Sequence, residues 1–205
     1  MTLAQQLAKR LLQIQAVSLR PNQPFTWASG IKSPIYTDNR LTISDVETRH
    51  LIYEGFIHLI QTQYPETNVI AGVATAGIPH AAWVANELEL PMVYVRSKKK
   101  DHGTGKQIEG RLPEAAHVFV IDDLISTGGS VLGVVRALKV AQATVTTVAS
   151  IFSYELPVAD DQFVREQVSF QSLTTLTDLL KVAGDQELIS QTESDMIKQW
   201  RFNIN

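Results

Sequence analysis

The chain is predicted to fold as one α/β domain, with a mostly parallel central sheet flanked by helices and an N-terminal appendage of loops and short strands. Three observations predict it. Apolar runs without alternation recur at Val69–Ala74, Met92–Val95, Val118–Ile121 and Ala143–Phe152, as strands buried on both faces require. Helical patterns separate them, and strand–helix–strand order implies parallel pairing. The 205 residues are 44% hydrophobic and 19% charged, which suits one full core, and no repeat, linker or low-complexity tract divides them.

Leu3, Leu7, Leu11 and Ile14 recur at helical spacing, so the chain is expected to open with an amphipathic helix ending near Gln15. The segment Ser18–Arg40 is rich in Pro, Gly, Ser and aromatic residues and reads as loop and short strands. Its rings Phe25, Trp27 and Tyr36 are expected to pack at an irregular edge. Ser44 with Glu47 three residues on reads as a capping box, opening a helix that turns Val46, Ile52, Phe56 and Ile57 toward the core as far as about Gln61. Helices are then predicted at Ile78–Leu88, Val131–Val140, Leu156–Glu166, Leu176–Lys181 and Gln186–Trp200, with a short strand near Val168. Ser97–Glu114 lacks apolar periodicity and carries three glycines, so it is expected to be a long loop; loops of that length are usually functional or disordered.

Composition excludes whole classes of function. Eighteen basic against 21 acidic residues leave a net charge of −3, so nothing draws the whole chain to nucleic acid or an anionic membrane. With no cysteine there is no disulfide, thiolate nucleophile or Cys-ligated metal, which fits a reducing, cytoplasmic setting. Lys9 and Arg10 interrupt the N-terminal apolar pattern, unlike a signal peptide. No apolar run approaches the roughly 20 residues that span a bilayer.

The chemistry concentrates in VFVIDDLISTGGS, Val118–Ser130. In an open parallel sheet, ligands bind at the carboxyl ends of strands, where Asp122 and Asp123 are expected. Ionised carboxylates accept hydrogen bonds from vicinal ribose hydroxyls or bind Mg²⁺. Leu124, Ile125, Ser126, Thr127, Gly128, Gly129 and Ser130 then lead into a helix, whose N-terminus offers free N–H groups and a partial positive charge to a phosphate. An acid pair followed by a phosphate cradle describes a phosphoribose site; a solvated strand end with a capped turn is the plainer alternative. Other nucleotide motifs fail on spacing. A Walker A loop ending at Gly105-Lys106 needs glycine where Lys100 stands, and a dinucleotide fingerprint from Gly103 needs glycine where Ile108 stands.

The motif resembles the phosphoribosyl-pyrophosphate (PRPP) site of type I phosphoribosyltransferases. SGIKSPIYTDNR (Ser29–Arg40) and YVRSKKKDHGTGKQIEG (Tyr94–Gly110) resemble two signatures of the orotate phosphoribosyltransferase family, and together with GVATAGIPHAAWVA (Gly72–Ala85) the resemblance spans about residues 25–130. The resemblance implies the type I fold over residues 1–205, with about 1–43 forming the first helix and a hood over the base and about 44–205 the core. It implies ribose 5-phosphate transfer from PRPP to orotate, giving orotidine 5′-monophosphate and pyrophosphate. Asp122 and Asp123 would hold the ribose and Leu124–Ser130 the 5′-phosphate. Arg96, Lys100 and His102 would bind PRPP from the neighbouring subunit of a homodimer, with Lys100 and His102 stabilising the leaving group. Mg²⁺ would be held mainly through PRPP, with Asp122 or Asp123 as the protein contact and no other metal ligand. Ser126 would contact orotate.

The chain departs from the family's best-known pattern in places. Ala28 replaces a PRPP-contacting lysine, Tyr36-Thr37 a Phe-Phe pair and Thr75-Ala76 a Tyr-Lys pair. Ile151–Pro157 lacks the arginine that would meet the orotate carboxylate. Lys32 and Arg40 are therefore the candidates for that carboxylate or for PRPP. Two rival readings are a phosphoribosyltransferase for another base and a non-catalytic PRPP-sensing regulator. The Ser29–Arg40 signature speaks against the first, and the lack of a basic face or spare domain against the second.

Overall fold

The computed structural model of the chain describes residues 1–26, 30–96 and 107–204. Its elements run α1 (Leu3–Gln13), β1 (Val17–Leu19), β2 (Phe25–Thr26), β3 (Lys32–Ser33), β4 (Ile35–Thr37), a 3-10 turn (Asn39–Ile43), α2 (Val46–Gln63), β5 (Val69–Val73), α3 (Gly77–Glu87), β6 (Met92–Val95), β7 (Ile108–Glu109), β8 (His117–Ile125), α4 (Gly129–Val140), β9 (Thr144–Ser153), α5 (Pro157–Arg165), β10 (Phe170–Thr175), α6 (Leu176–Asp185) and α7 (Gln191–Phe202). Six strands pair in the order β10-β9-β8-β5-β6-β7. All neighbours are parallel except β7, which lies antiparallel to β6. Among the described residues no helix is long and apolar enough to cross a membrane.

Strand alternation divides the apolar residues into two cores. Ile70, Phe119, Ile121, Ala149 and Ile151 face α1, α2, α3 and α6. Val69, Ala71, Val73, Val118, Val120 and Val148 face α4 and α5. That two-sided burial is why these strands read as continuous apolar runs. From β5 the chain crosses through α3 to β6 on one side; from β8 it crosses through α4 to β9 on the other. The β5–β8 pair is thus the point where strand order reverses, and such sheets open a crevice there.

Beside that crevice β1 pairs with β4 and β2 with β3 in two small antiparallel ladders. The Phe25 and Tyr36 rings meet each other at 5.6 Å rather than entering the core, and Tyr36 is exposed. Trp27 lies outside the described residues.

Several boundaries differ from the sequence reading. The cap of α2 is Asp45, whose side chain accepts from Thr48 N–H; Ser44 instead closes the 3-10 turn by donating to the Leu41 carbonyl. Val46 therefore starts the helix on its exposed side. Within the expected Ser97–Glu114 loop, Ile108–Glu109 pairs with Tyr94–Val95, a ladder too short to show alternation. Beyond Val168 the strand β10 is longer than expected; Glu187, with a positive φ of 58°, lies in the turn after α6, and α7 starts at Gln191 behind the capping box of Ser190 and Glu193. Strand β8 runs on through Ile125, so Asp122 and Asp123 lie inside its second half, not beyond its end.

Candidate active site

The reason the acid pair faces the crevice lies in unequal strand lengths. Pairing of β5 with β8 stops at Gly72 opposite Ile121, whereas β8 keeps pairing with β9 as far as Ile125 opposite Ser153. The edge left free from Asp122 onward is met by the start of α3, and it comes so close that a Cβ on Gly77 would strike the Ile121 carbonyl oxygen. Asp122 is buried and Asp123 partly so. The Asp123 N–H donates to Asp122 Oδ1 at 2.9 Å. Burial pushes both carboxyls above the usual range, Asp122 well above it, because the adjacent Asp123 charge adds to the cost of ionising it.

A residue that sequence reasoning missed fixes this strand end. Asn39, fully buried in the 3-10 turn, donates its side-chain amide to the Asp123 carbonyl at 2.6 Å. Its own carbonyl accepts from Thr42 Oγ1 at 2.6 Å. The hood is thereby tied directly to the acid pair.

Next comes the small-residue loop. Strand β8 ends at Ile125, and Gly128 turns the chain with φ +84°, a left-handed conformation that glycine adopts without a Cβ penalty. A Cβ there would also stand 2.9 Å from Phe163 Cε2. Helix α4 then begins at Gly129. Side chains cap α1, α2, α6 and α7 (Thr2, Asp45, Thr175 and Ser190), but none caps α4. The first-turn N–H groups of α4 stay available, as an anion site needs, with Ser126, Thr127 and Ser130 beside them.

Ser126 also belongs to a pocket of about 180 Å³ that it lines with Tyr36, Thr37, Leu124 and Tyr154. Two aromatic rings and one leucine suit a planar ring as occupant. Burial pushes the Tyr154 phenol up to about 12, so it is a neutral hydroxyl at physiological pH. Tyr154 directly follows the long β9 strand, so the rule that pointed to Asp122 also pointed to it.

Among the predicted cations, Arg40 is held bidentately by Asp38, Nε to Oδ1 at 2.6 Å and Nη2 to Oδ2 at 2.8 Å, and that carboxylate raises its pKa. Lys32 is exposed on β3, at the hood's rim. Arg96 follows β6, its N–H donating to the Gln107 carbonyl at 3.0 Å and its Nε 3.5 Å from Glu109 Oε1. Lys100 and His102 lie outside the described residues. The structure thus gathers Asp122–Ser130 in one crevice, with Arg40 at its hood side. Among the described residues no three His, Asp or Glu side chains cluster to hold a metal ion.

With this geometry in view, a family model described as "Phosphoribosyl transferase domain" matches residues 42–171. The chain is 52% identical over 203 residues to the orotate phosphoribosyltransferase of Streptococcus thermophilus, covering 99% of this chain and 97% of that one. It is 51% identical over 201 residues to the orotate phosphoribosyltransferase of Streptococcus pneumoniae, covering 98% and 96%. A solved orotate phosphoribosyltransferase from Aeropyrum pernix superposes with TM-score 0.77 at 29% identity, over 90% of this chain and 99% of that one.

Proposed function

The chain belongs to the orotate phosphoribosyltransferase family of phosphoribosyl transferase domain proteins, and from that premise we propose how its own residues carry the reaction. The enzyme transfers ribose 5-phosphate from PRPP to orotate, giving orotidine 5′-monophosphate and pyrophosphate in pyrimidine biosynthesis. One observation supports assigning that chemistry to this crevice: Ser126 belongs at once to the phosphate loop and to the ring-sized pocket. A base in the pocket and a 5′-phosphate on α4 would leave the ribose over Asp122 and Asp123.

In this reading the first-turn N–H groups of α4, with Thr127 and Ser130, grip the 5′-phosphate. Asp122 and Asp123 accept from the ribose hydroxyls. Tyr36, Thr37, Leu124, Ser126 and Tyr154 orient the base against C1′. As the C1′–O bond breaks, positive charge develops on the ribose ring and negative charge on pyrophosphate. Catalysis is then positioning and electrostatics rather than a protein nucleophile. Arg96, Lys100 and His102 bind PRPP in the neighbouring site of a homodimer, and Lys100 and His102 stabilise the departing pyrophosphate. Lys32 and Arg40 are the cations offered to the orotate carboxylate. Two adjacent carboxylates, in no cluster of three such ligands among the described residues, fit a hard divalent cation that takes most of its ligands from substrate and water. Mg²⁺ held there would neutralise charge on the leaving group, with Asp122 or Asp123 as the protein ligand.

The test is pyrophosphate release from PRPP and Mg²⁺ with orotate, uracil, adenine or hypoxanthine offered singly. Release with orotate alone is expected. Release with another base would overturn the base assignment, and no release with any base would overturn the catalytic reading.

A further inference from the structure

Three contacts join the C-terminal helix to the hood and to one wall of the pocket. Asn22 Nδ2 donates to Glu193 Oε1 at 2.8 Å. Trp200 Nε1 donates to the Lys32 carbonyl at 2.9 Å. The Trp200 ring meets the Tyr154 ring edge-on, with centroids 6.2 Å apart. Helix α7 is itself pinned to the body: Ile197 is fully buried, and Arg201 Nη1 stands 2.8 Å from Glu155 Oε2 and 3.1 Å from Thr177 Oγ1.

The path from Lys32 to the pocket is short and stiff. Buried Ser33 donates its hydroxyl to the Ile35 carbonyl at 2.7 Å and accepts from the Ile35 N–H at 3.2 Å. Tyr36 and Thr37, the next two residues, line the pocket on the hood side, and Tyr154 lines it from β9. Trp200 therefore holds both walls without lining the pocket itself. The family model ends at residue 171, so α7 lies outside the part of the chain it matches.

We propose that Trp200 is a positioning residue for the base, and that α7 acts as a strap setting the distance between the Tyr36–Thr37 wall and Tyr154. The proposal rests on reading the pocket as the orotate site. None of the three contacts touches the acid pair or the start of α4, so the strap acts on the base and not on PRPP.

Trp200→Phe keeps a ring against Tyr154 and removes the N–H donor. Its KM for orotate should rise about fivefold, the worth of one hydrogen bond, while its KM for PRPP stays within about twofold and kcat changes less than KM. Asn22→Ala, on the exposed side of the hood, should move the orotate KM in the same direction by less. Urea unfolding is measured alongside. A lowered midpoint with unchanged KM for orotate in both variants would reduce α7 to a structural role and overturn the proposal, as would an equal rise in both KM values. The unaltered enzyme is assayed first: failure to turn over orotate there would overturn the base-site reading, and the strap with it.

Discussion

Asn39 and Asp123, 84 residues apart, share a 2.6 Å hydrogen bond from the buried side-chain amide to the main-chain carbonyl. It joins the hood to the strand end that carries both carboxylates. Removing it should therefore affect stability and substrate binding together. Asn39→Ala should cost about 1–3 kcal/mol, the price of stranding a buried acceptor, and raise the KM for PRPP. Asn39→Asp should be worse in kcat/KM than Asn39→Ala, because it sets a third acid beside the pair. Urea unfolding and steady-state kinetics on both variants check this; an aspartate variant as active as the alanine variant would refute the electrostatic part.

The acid pair itself exchanges stability for function. Burial raises the folded-state pKa of Asp122 above its unfolded value, so between those two values the native state binds more protons than the unfolded chain. Stability then falls as pH rises through that window, and the buried carboxyl costs the native state stability above it. Asp122→Asn removes the charge at nearly constant shape. The ligand-free variant should melt at a higher temperature than the parent, while kcat/KM drops roughly 10- to 100-fold through loss of charge-assisted bonds. Calorimetry without ligand, paired with kinetics, reads both effects, and a variant both less stable and less active would contradict the account.

How much of this was legible in the sequence follows from what each residue depends on. Asp122, Asp123 and the Gly128 turn were visible because a local order of apolar run, acids and small residues is sufficient to create them. Tyr154 was within reach of the same strand-end rule, but its neighbour Tyr36 in the pocket lies 118 residues away, and no local pattern announces that meeting. Asn39 looks like any loop residue until the 3-10 turn buries it. The cap of α2 went astray because Ser44 with Glu47 and Asp45 with Thr48 both fit local capping patterns. Asp45 wins because its carboxylate also reaches Arg10 of α1, 2.7 Å away, a contact between two helices.

Gly128 offers a strict test of the phosphate loop. Its φ of +84° would cost a non-glycine residue about 1–2 kcal/mol. The Cβ would in addition meet a Phe163 ring that is buried and stacked on Phe170 at 4.3 Å, so the ring has no room to swing away. Gly128→Ala should lose at least that much stability and raise the KM for PRPP more than the KM for orotate. Gly129→Ala, where a Cβ would meet only Thr127 Oγ1 at 3.9 Å, should be far milder. Equal effects from the two substitutions would mean that the turn is not what shapes the loop.

Acid sensitivity should come in two windows with different owners. His80, a residue of α3, is fully buried against the 3-10 turn, its Nε2 3.4 Å from Thr42 Oγ1 and its ring edge-on to Trp83 at 5.3 Å. The Arg49 guanidinium sits over that same indole, a further positive charge on that side of the ring pair. Burial pulls the His80 pKa down to about 4, against an unfolded value near 6.5. The unfolded chain therefore takes up a proton that the native state refuses. Stability present above about 6.5 is lost as pH falls toward 4, by about 3 kcal/mol in all. Asp45 answers to a lower window. Thr48 and then Arg10 hold its carboxyl down to about 2, so its contribution persists until pH falls from the usual carboxylate range toward that value. Because the acid pair works in the opposite sense, the comparison is between proteins: urea midpoints between pH 7 and 3 should lose more across the upper window in the parent than in His80→Gln, with the lower decline kept in both. The same upper decline in both proteins would assign it to some other group.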